Sequence, residues 1–95
     1  MKINFKKPFL SFDGQPMKEI ISEEIGRSLF SAQRLDGKAL TADEKYMAYK
    51  LSMRLLNHDE IELSTEEASF IKKVCSETII AGAYGQIVDL IENSK

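Results

Sequence analysis

One histidine stands beside a run of carboxylates in the middle of the chain, and this cluster is the first candidate for metal or acid–base chemistry. His58 is followed by Asp59, Glu60 and Glu62. These residues are close neighbours along the chain, and their spacing matches none of the ligand patterns by which proteins hold zinc or calcium. We therefore interpret them as a solvated turn, and we predict neither a metal site nor a bound cofactor.

The single cysteine, Cys75, is the second candidate, because a thiolate can act as a nucleophile. Cys75 falls on the apolar stripe of a helical pattern, however, and His58 lies on a different element. A buried thiol that packs as a small hydrophobic side chain is the favoured interpretation. One cysteine also excludes an intramolecular disulfide and a multi-cysteine zinc site. We predict no catalytic residue and a protein that is not an enzyme.

The third candidate is a helical segment, residues 42–56, that is apolar on two sides. One apolar side consists of Met47, Ala48, Leu51 and Leu55, and the other consists of Tyr46, Tyr49, Met53 and Leu56. Such a helix either runs through the centre of the domain or shows one side to a partner. We predict an interaction surface with a polar rim, and its candidate residues are Tyr46, Tyr49, Lys50, Met53, Arg54 and Leu56. A two-fold homodimer is the simplest closed arrangement of such a surface.

Basic side chains beside tyrosines also fit contact with nucleic acid, because cations meet phosphates and aromatic rings stack on bases. A small nucleic-acid-binding regulator is therefore the alternative function. The charge disfavours it, since the net charge is −2 and the pI is about 5.4. Residues 1–56 carry ten Lys and Arg against seven Asp and Glu, whereas residues 57–95 carry three against eight. This asymmetry is typical of an ordinary solvated surface, and it also suits head-to-tail self-contact or contact with a protein partner.

Two capping boxes fix where helices begin. In "TADE" at 41–44 and in "STEE" at 64–67, a hydroxyl residue is followed three positions later by a glutamate. They predict a second helix from about residue 42 to 56 and a third helix from Thr65. A first helix is predicted over 18–34, and its apolar stripe consists of Met17, Ile21, Ile25, Leu29, Ala32 and Leu35. Phe30 lies off this stripe, as either a second contact or an exposed ring.

The phase of the apolar residues predicts a fourth helix. The stripe of residues 68–75, extended along one straight helix, would continue into the polar side of residues 82–93, so we place a break near residues 76–78. Residues 61–63 alternate as a strand does and need a partner, for which residues 2–5 are the best candidate. Residues 1–16 are then a strand followed by an extended arm. A hairpin here is the less favoured alternative, because Pro8 and Pro16 each remove a hydrogen-bond donor.

These elements predict a mainly α protein of the α+β class, with about four short helices and a two-stranded β element that joins the N-terminus to residues 61–63. A length of 95 residues fits a single domain. No apolar run is long enough to span a bilayer, and the N-terminus lacks a signal-peptide core. We therefore expect a cytoplasmic protein with no membrane contact.

The chain resembles a group of small uncharacterised proteins of tailed bacteriophages and prophages. The resemblance rests on "KINFKKPFLSFDGQPM" at the start, the helix that opens with "TADEK", the segment "IELSTEEASFIKKVC" and the tail "YGQIVDLIE". Members of the group often carry Ser-Pro near the junction of the last two helices, where this chain reads "SETII". The resemblance implies a phage or prophage origin, hence the host bacterial cytoplasm, and it carries over no catalytic residues. It is consistent with a non-enzymatic accessory protein that binds itself or a host or phage protein.

Overall fold

The computed structural model describes residues 1–94, over which the chain forms four helices and six short strands. The helices are α1 (Ile21–Phe30), α2 (Ala42–Asn57), α3 (Thr65–Thr78) and α4 (Ala81–Glu92). The strands are β1 (Lys2–Asn4), β2 (Pro8–Leu10), β3 (Pro16–Ile20), β4 (Arg34–Leu35), β5 (Lys38–Ala39) and β6 (Glu60–Glu62). They form three two-stranded antiparallel sheets, β1–β6, β2–β3 and β4–β5. The α+β class and the four helices are as predicted.

The pairing of β1 with β6 confirms the predicted link between the N-terminus and the middle of the chain. Ile3 lies opposite Ile61 in this pair, and both side chains are buried. The Leu63 amide donates to the Met1 carbonyl at 2.8 Å and continues the ladder. The strand before α3 therefore satisfies its backbone groups, and it fixes the path of the chain into that helix.

The extended arm predicted over residues 6–16 is wrong, because β2 and β3 pair as a hairpin. Each proline stands at the first residue of its strand, where a missing N–H is tolerated. The register also shifts between Pro8 and Leu10, so the ladder is irregular there. Gly14 closes the turn at a φ of 87°, and its amide donates to the Ser11 carbonyl at 2.9 Å.

The first helix is shorter than the predicted span of residues 18–34. It starts at Ile21 because the residues before it are extended in β3, and it ends at Phe30 because a second hairpin follows. Asp36 and Gly37 have φ values of 54° and 75°, the conformation of a tight turn in which both central residues are left-handed. An Asp-Gly pair is a strong signal for such a hairpin.

Both capping boxes form as predicted. The Thr41 hydroxyl accepts from the Glu44 amide at 3.1 Å, and the Glu44 carboxylate accepts from the Thr41 amide at 2.8 Å. The Ser64 and Glu67 pair has the same geometry, with distances of 3.1 Å and 2.9 Å. Two otherwise unpaired amides are thus satisfied at the start of each helix.

Helices α3 and α4 are separate, as the phase of the apolar residues predicts. The break lies at Ile79 and Ile80 and not at 76–78, and both residues have extended backbone angles. A short extended link rotates the apolar stripe of α4 back toward the interior, where Ile87 and Ile91 are fully buried. No proline is needed for this break.

One hydrophobic cluster joins strands β1, β2 and β6 to the four helices. Its fully buried members include Ile25, Leu29, Leu51, Ile71 and Ile87. Cys75 also has no exposed surface, which confirms that it packs as a core residue. Burial raises the pKa of its thiol to about 12.

We expect loss of either cap to destabilise the fold. Thr41→Ala and Ser64→Ala should each lower the free energy of unfolding by about 1 kcal/mol, because an amide at the helix start loses its acceptor. Ser76→Ala makes the same substitution as Ser64→Ala at an exposed position inside α3, and it should change stability by about 0.5 kcal/mol or less. Urea denaturation measures all three variants. A cap variant that unfolds at the wild-type midpoint would contradict the assigned helix start.

Native Cys75 should resist thiol reagents. A thiol with a pKa of about 12 contains almost no thiolate near neutral pH, and the fold blocks access to it. Labelling with a maleimide should therefore be slow in buffer and rapid in denaturant. Cys75→Ala should cost about 1 kcal/mol of stability through the volume lost. Labelling at equal rates in both conditions would show that the thiol is not protected.

Candidate interaction surface

The second apolar side of α2 faces solvent. Tyr46, Tyr49 and Leu56 expose 63%, 49% and 64% of their surface, and Met53 is half-buried. On the opposite side, Leu51 and Leu55 are buried in the core. The sequence left open whether α2 runs through the centre of the domain or shows one side to a partner. In the structure one side of α2 is uncovered.

Helix α1 supplies the other wall of this surface. The ring of Phe30 lies 6.4 Å from that of Tyr49, and the start of α1 lies near the end of α2, so the two helices run antiparallel. Between them is a groove of about 830 Å³, which we call the α1–α2 groove, and it is mainly apolar. Its apolar lining consists of Ile20, Gly26, Phe30, Met53, Leu55 and Leu56.

Small residues keep the α1–α2 groove open. Ser22 and Ser52 line it and are almost fully buried. Gly26 lines it as well, and a Cβ atom added there would meet no atom within 4 Å. This glycine therefore faces open space and does not serve a close crossing of helices. A larger side chain at this position would occupy the groove itself.

Charged side chains around the α1–α2 groove are held by partners within the protein. The Lys50 ammonium lies 5.1 Å from the centre of the Tyr46 ring. Arg27 bridges Glu24 at 2.7 Å and Glu23 at 3.3 Å. Lys6 pairs with Asp59 at 3.2 Å. The two cations that line the groove, Lys6 and Arg27, are thus already paired with carboxylates, which disfavours a surface made for phosphates.

Arg54, predicted as part of the interface, makes its strongest contacts inside the protein. Its guanidinium donates to the Glu67 carboxylate at 2.8 Å and to the Glu62 carbonyl. Partial burial raises the pKa of Glu67, but hydrogen bonds from Ser64 and Arg54, with the Arg54 charge, outweigh it, so the pKa is below its usual value. Arg54 thereby joins α2 to the capped start of α3.

The remaining candidate residues, His58 and the carboxylates after it, follow the end of α2. His58 is exposed just after α2, and its amide donates to the Arg54 carbonyl at 3.1 Å. Within residues 1–94, no three His, Cys, Asp or Glu side chains are grouped closely enough to hold a metal ion. The helices of this same part of the chain are all too short or too polar to cross a membrane.

Of the interface residues predicted from the sequence, Met53 and Leu56 line the groove and Tyr49 lies against Phe30, whereas the α1 wall was not predicted. Tyr46, Tyr49 and Met53 fall on one side by helical spacing alone. Phe30 and Gly26 join them only through the packing of α1 on α2. The available signal was the position of Phe30 away from the apolar stripe of its own helix.

Comparison of the chain with protein-family models, curated proteins and solved structures finds no significant match. The proposed function therefore rests on the groove and its residues alone.

The Arg54–Glu67 pair should make stability depend on pH. The folded-state pKa of Glu67 lies below 4.5, its ordinary value, so this stabilisation is present above about pH 4.5 and is lost as the pH falls through the folded-state pKa. Glu67→Gln keeps a capping box but removes the charge. Wild type should be the more stable at about pH 7, and the difference should shrink toward about pH 3.

Glu66→Gln is the matched control, since Glu66 is an exposed neighbour in the same helical turn. Denaturant unfolding across this pH range measures both variants against wild type. If the stability of Glu67→Gln followed that of wild type at a constant offset, the Arg54–Glu67 pair would have no part in the pH dependence.

Proposed function

We propose that this protein is a non-enzymatic accessory protein that acts by protein–protein contact through the α1–α2 groove. The observation that carries the proposal is an open groove lined by the exposed side chains of Phe30 and Leu56, with the exposed ring of Tyr49 against Phe30. Contiguous apolar surface with a polar rim is typical of an interface. Tyrosine and methionine, both present here, are enriched in interfaces.

A second copy of the chain is the proposed occupant of the groove. At one end of it, the exposed ring of Phe30 lies beside α2, which carries Lys45 and Lys50. At the other end, Glu23 and Leu56 line the groove, and Asp59 lies close by through Lys6. The groove lining includes Lys6 and Arg27 together with Glu23, so a two-fold axis across the groove would let cations of one copy meet carboxylates of the other.

The same two-fold arrangement suits the shapes of the side chains. Phe30 and Tyr49 project from one part of the surface, and the space above Gly26 is empty. In an isologous dimer each projecting ring has a recess to enter on the partner copy. The phage or prophage setting implied by the resemblance belongs to this proposal, and it makes a host or phage protein the alternative occupant of the groove.

Tyr49→Glu should convert the protein from dimer to monomer. The introduced carboxylate would lose its water in the interface, whereas in the monomer it remains half-exposed. Light scattering should give twice 10.8 kDa for wild type and 10.8 kDa for the variant, with the helical signal unchanged. Ile80→Glu places the same charge at an exposed apolar position outside the groove, and it should remain dimeric.

Gly26→Leu tests the groove without a change in charge. The leucine would fill the recess from within, and it should also favour the α1 helix by about 0.5–1 kcal/mol. We expect a monomer that is at least as stable as wild type. Wild-type protein that remains monomeric at high concentration would show that self-association is wrong. Dimers of both groove variants would show that another surface mediates it.

A further inference from the structure

A second apolar groove lies on the other side of α1. It has a volume of about 540 Å³, and it lies between the β2–β3 hairpin, α1 and the junction of α3 with α4. We call it the hairpin groove. Four of its large apolar side chains are exposed, and Phe12 and Ile80 are the most exposed of these, Phe12 completely and Ile80 at 79%. The others are Leu10 and Met17.

The alternation of β3 separates the two grooves. Met17 and Glu19 line the hairpin groove, whereas Ile20 lines the α1–α2 groove. Helix α1 is shared in the same way, since Glu24 and Ser28 face the hairpin groove, and Glu23 and Phe30 face the other. The two grooves are therefore distinct surfaces on opposite sides of α1.

A side chain from α4 holds the hairpin in place along this groove. The Leu10 amide donates to the Gln86 side-chain oxygen at 2.8 Å, and the Gln86 amide nitrogen donates to the Leu10 carbonyl at 2.9 Å. The same nitrogen also donates to the Gly82 carbonyl at 3.1 Å. Gln86 thus bonds the backbone of β2 as a neighbouring strand would, and the hairpin groove is present without a bound partner.

The charges of the hairpin groove have one sign. Its charged lining residues are Glu19 and Glu24, with no lysine or arginine among the described residues that line it. Arg27 is shared between Glu24 and Glu23, so one cation faces two carboxylates. The α1–α2 groove differs, because Lys6 and Arg27 line it together with Glu23.

We propose that the hairpin groove binds a cationic amphipathic helix of a partner protein. The exposed apolar side chains would receive the apolar face of such a helix, and Glu19 would receive its Lys or Arg side chains, while Glu24 is already bonded to Arg27. An added β-strand is the less suitable occupant. The free edge belongs to β3, which begins with Pro16, carries Lys18 and is paired irregularly with β2, and these features block strand addition.

The test uses a fluorescent synthetic peptide of about 15 residues, long enough for four helical turns, with leucine on one face and lysine on the other. Its matched control carries glutamate at every lysine position. Fluorescence anisotropy with wild-type protein should show binding of the lysine peptide that is at least about tenfold tighter than that of the glutamate peptide. Binding of the lysine peptide should weaken as salt is added.

Three variants locate the site. Glu19→Lys should weaken binding about tenfold and reduce its salt dependence, because a carboxylate that lines the hairpin groove becomes a cation. Ile80→Ser should weaken binding through loss of apolar contact. Because the Ile80 side chain is exposed, this substitution should not unfold the protein. Leu56→Glu, in the α1–α2 groove, should leave binding unchanged. The proposal is wrong if the lysine peptide does not bind, if Glu19→Lys binds it as wild type does, or if Leu56→Glu weakens binding equally.

Discussion

The antiparallel packing of α1 on α2 is the contact on which the rest of the structure depends. Leu29 and Ile25 of α1 and Leu51 and Leu55 of α2 belong to the centre of the hydrophobic cluster. The same pair of helices carries small residues on the side away from that centre, so their surfaces separate there and leave the α1–α2 groove. Core and groove are thus two sides of a single helix pair. Within residues 1–94 no further helix covers the outer side.

The short strands serve this helix pair by fixing its ends. The hairpin β2–β3 leads directly into α1, and the Ile21 and Ser22 amides donate to carbonyls of the segment between β1 and β2 at 2.8 Å. The end of α2 is held through Arg54, which reaches the capped start of α3 and the backbone of β6. These are local hydrogen bonds and ion pairs, individually weak, and their effect is to set the angle and register of helices whose stability comes from burial.

Features that depend on a few adjacent residues could be predicted from the sequence. The capping boxes, the span of α2 and the separation of α3 from α4 each follow from spacing within one segment. Each of the two hairpins contains an Asp-Gly pair, which is a local signal for a turn, but the pairing of its strands could not be predicted. Pro8 and Pro16 disfavour strand pairing in the sequence, and only the structure shows that each begins a strand. For the candidate site, helical spacing identified Tyr49 and its neighbours, but the contribution of α1 depends on how two helices cross, which a linear pattern does not contain.

Helix α1 lies between two grooves whose charges differ, and this difference bears on how partners could be distinguished. The α1–α2 groove is lined by both signs of charge, Lys6 and Arg27 with Glu23, which suits an identical surface turned by a two-fold axis. Among the described residues, the charged side chains that line the hairpin groove are carboxylates, and a copy of itself would bring like charges together. Each groove is therefore better suited to a different occupant. Because β3 and α1 present alternate side chains to the two grooves, occupation of one need not cover the other. A dimer joined through the α1–α2 groove would leave two hairpin grooves free, related by the two-fold axis, and a partner with two cationic helices could bind both with a gain in apparent affinity.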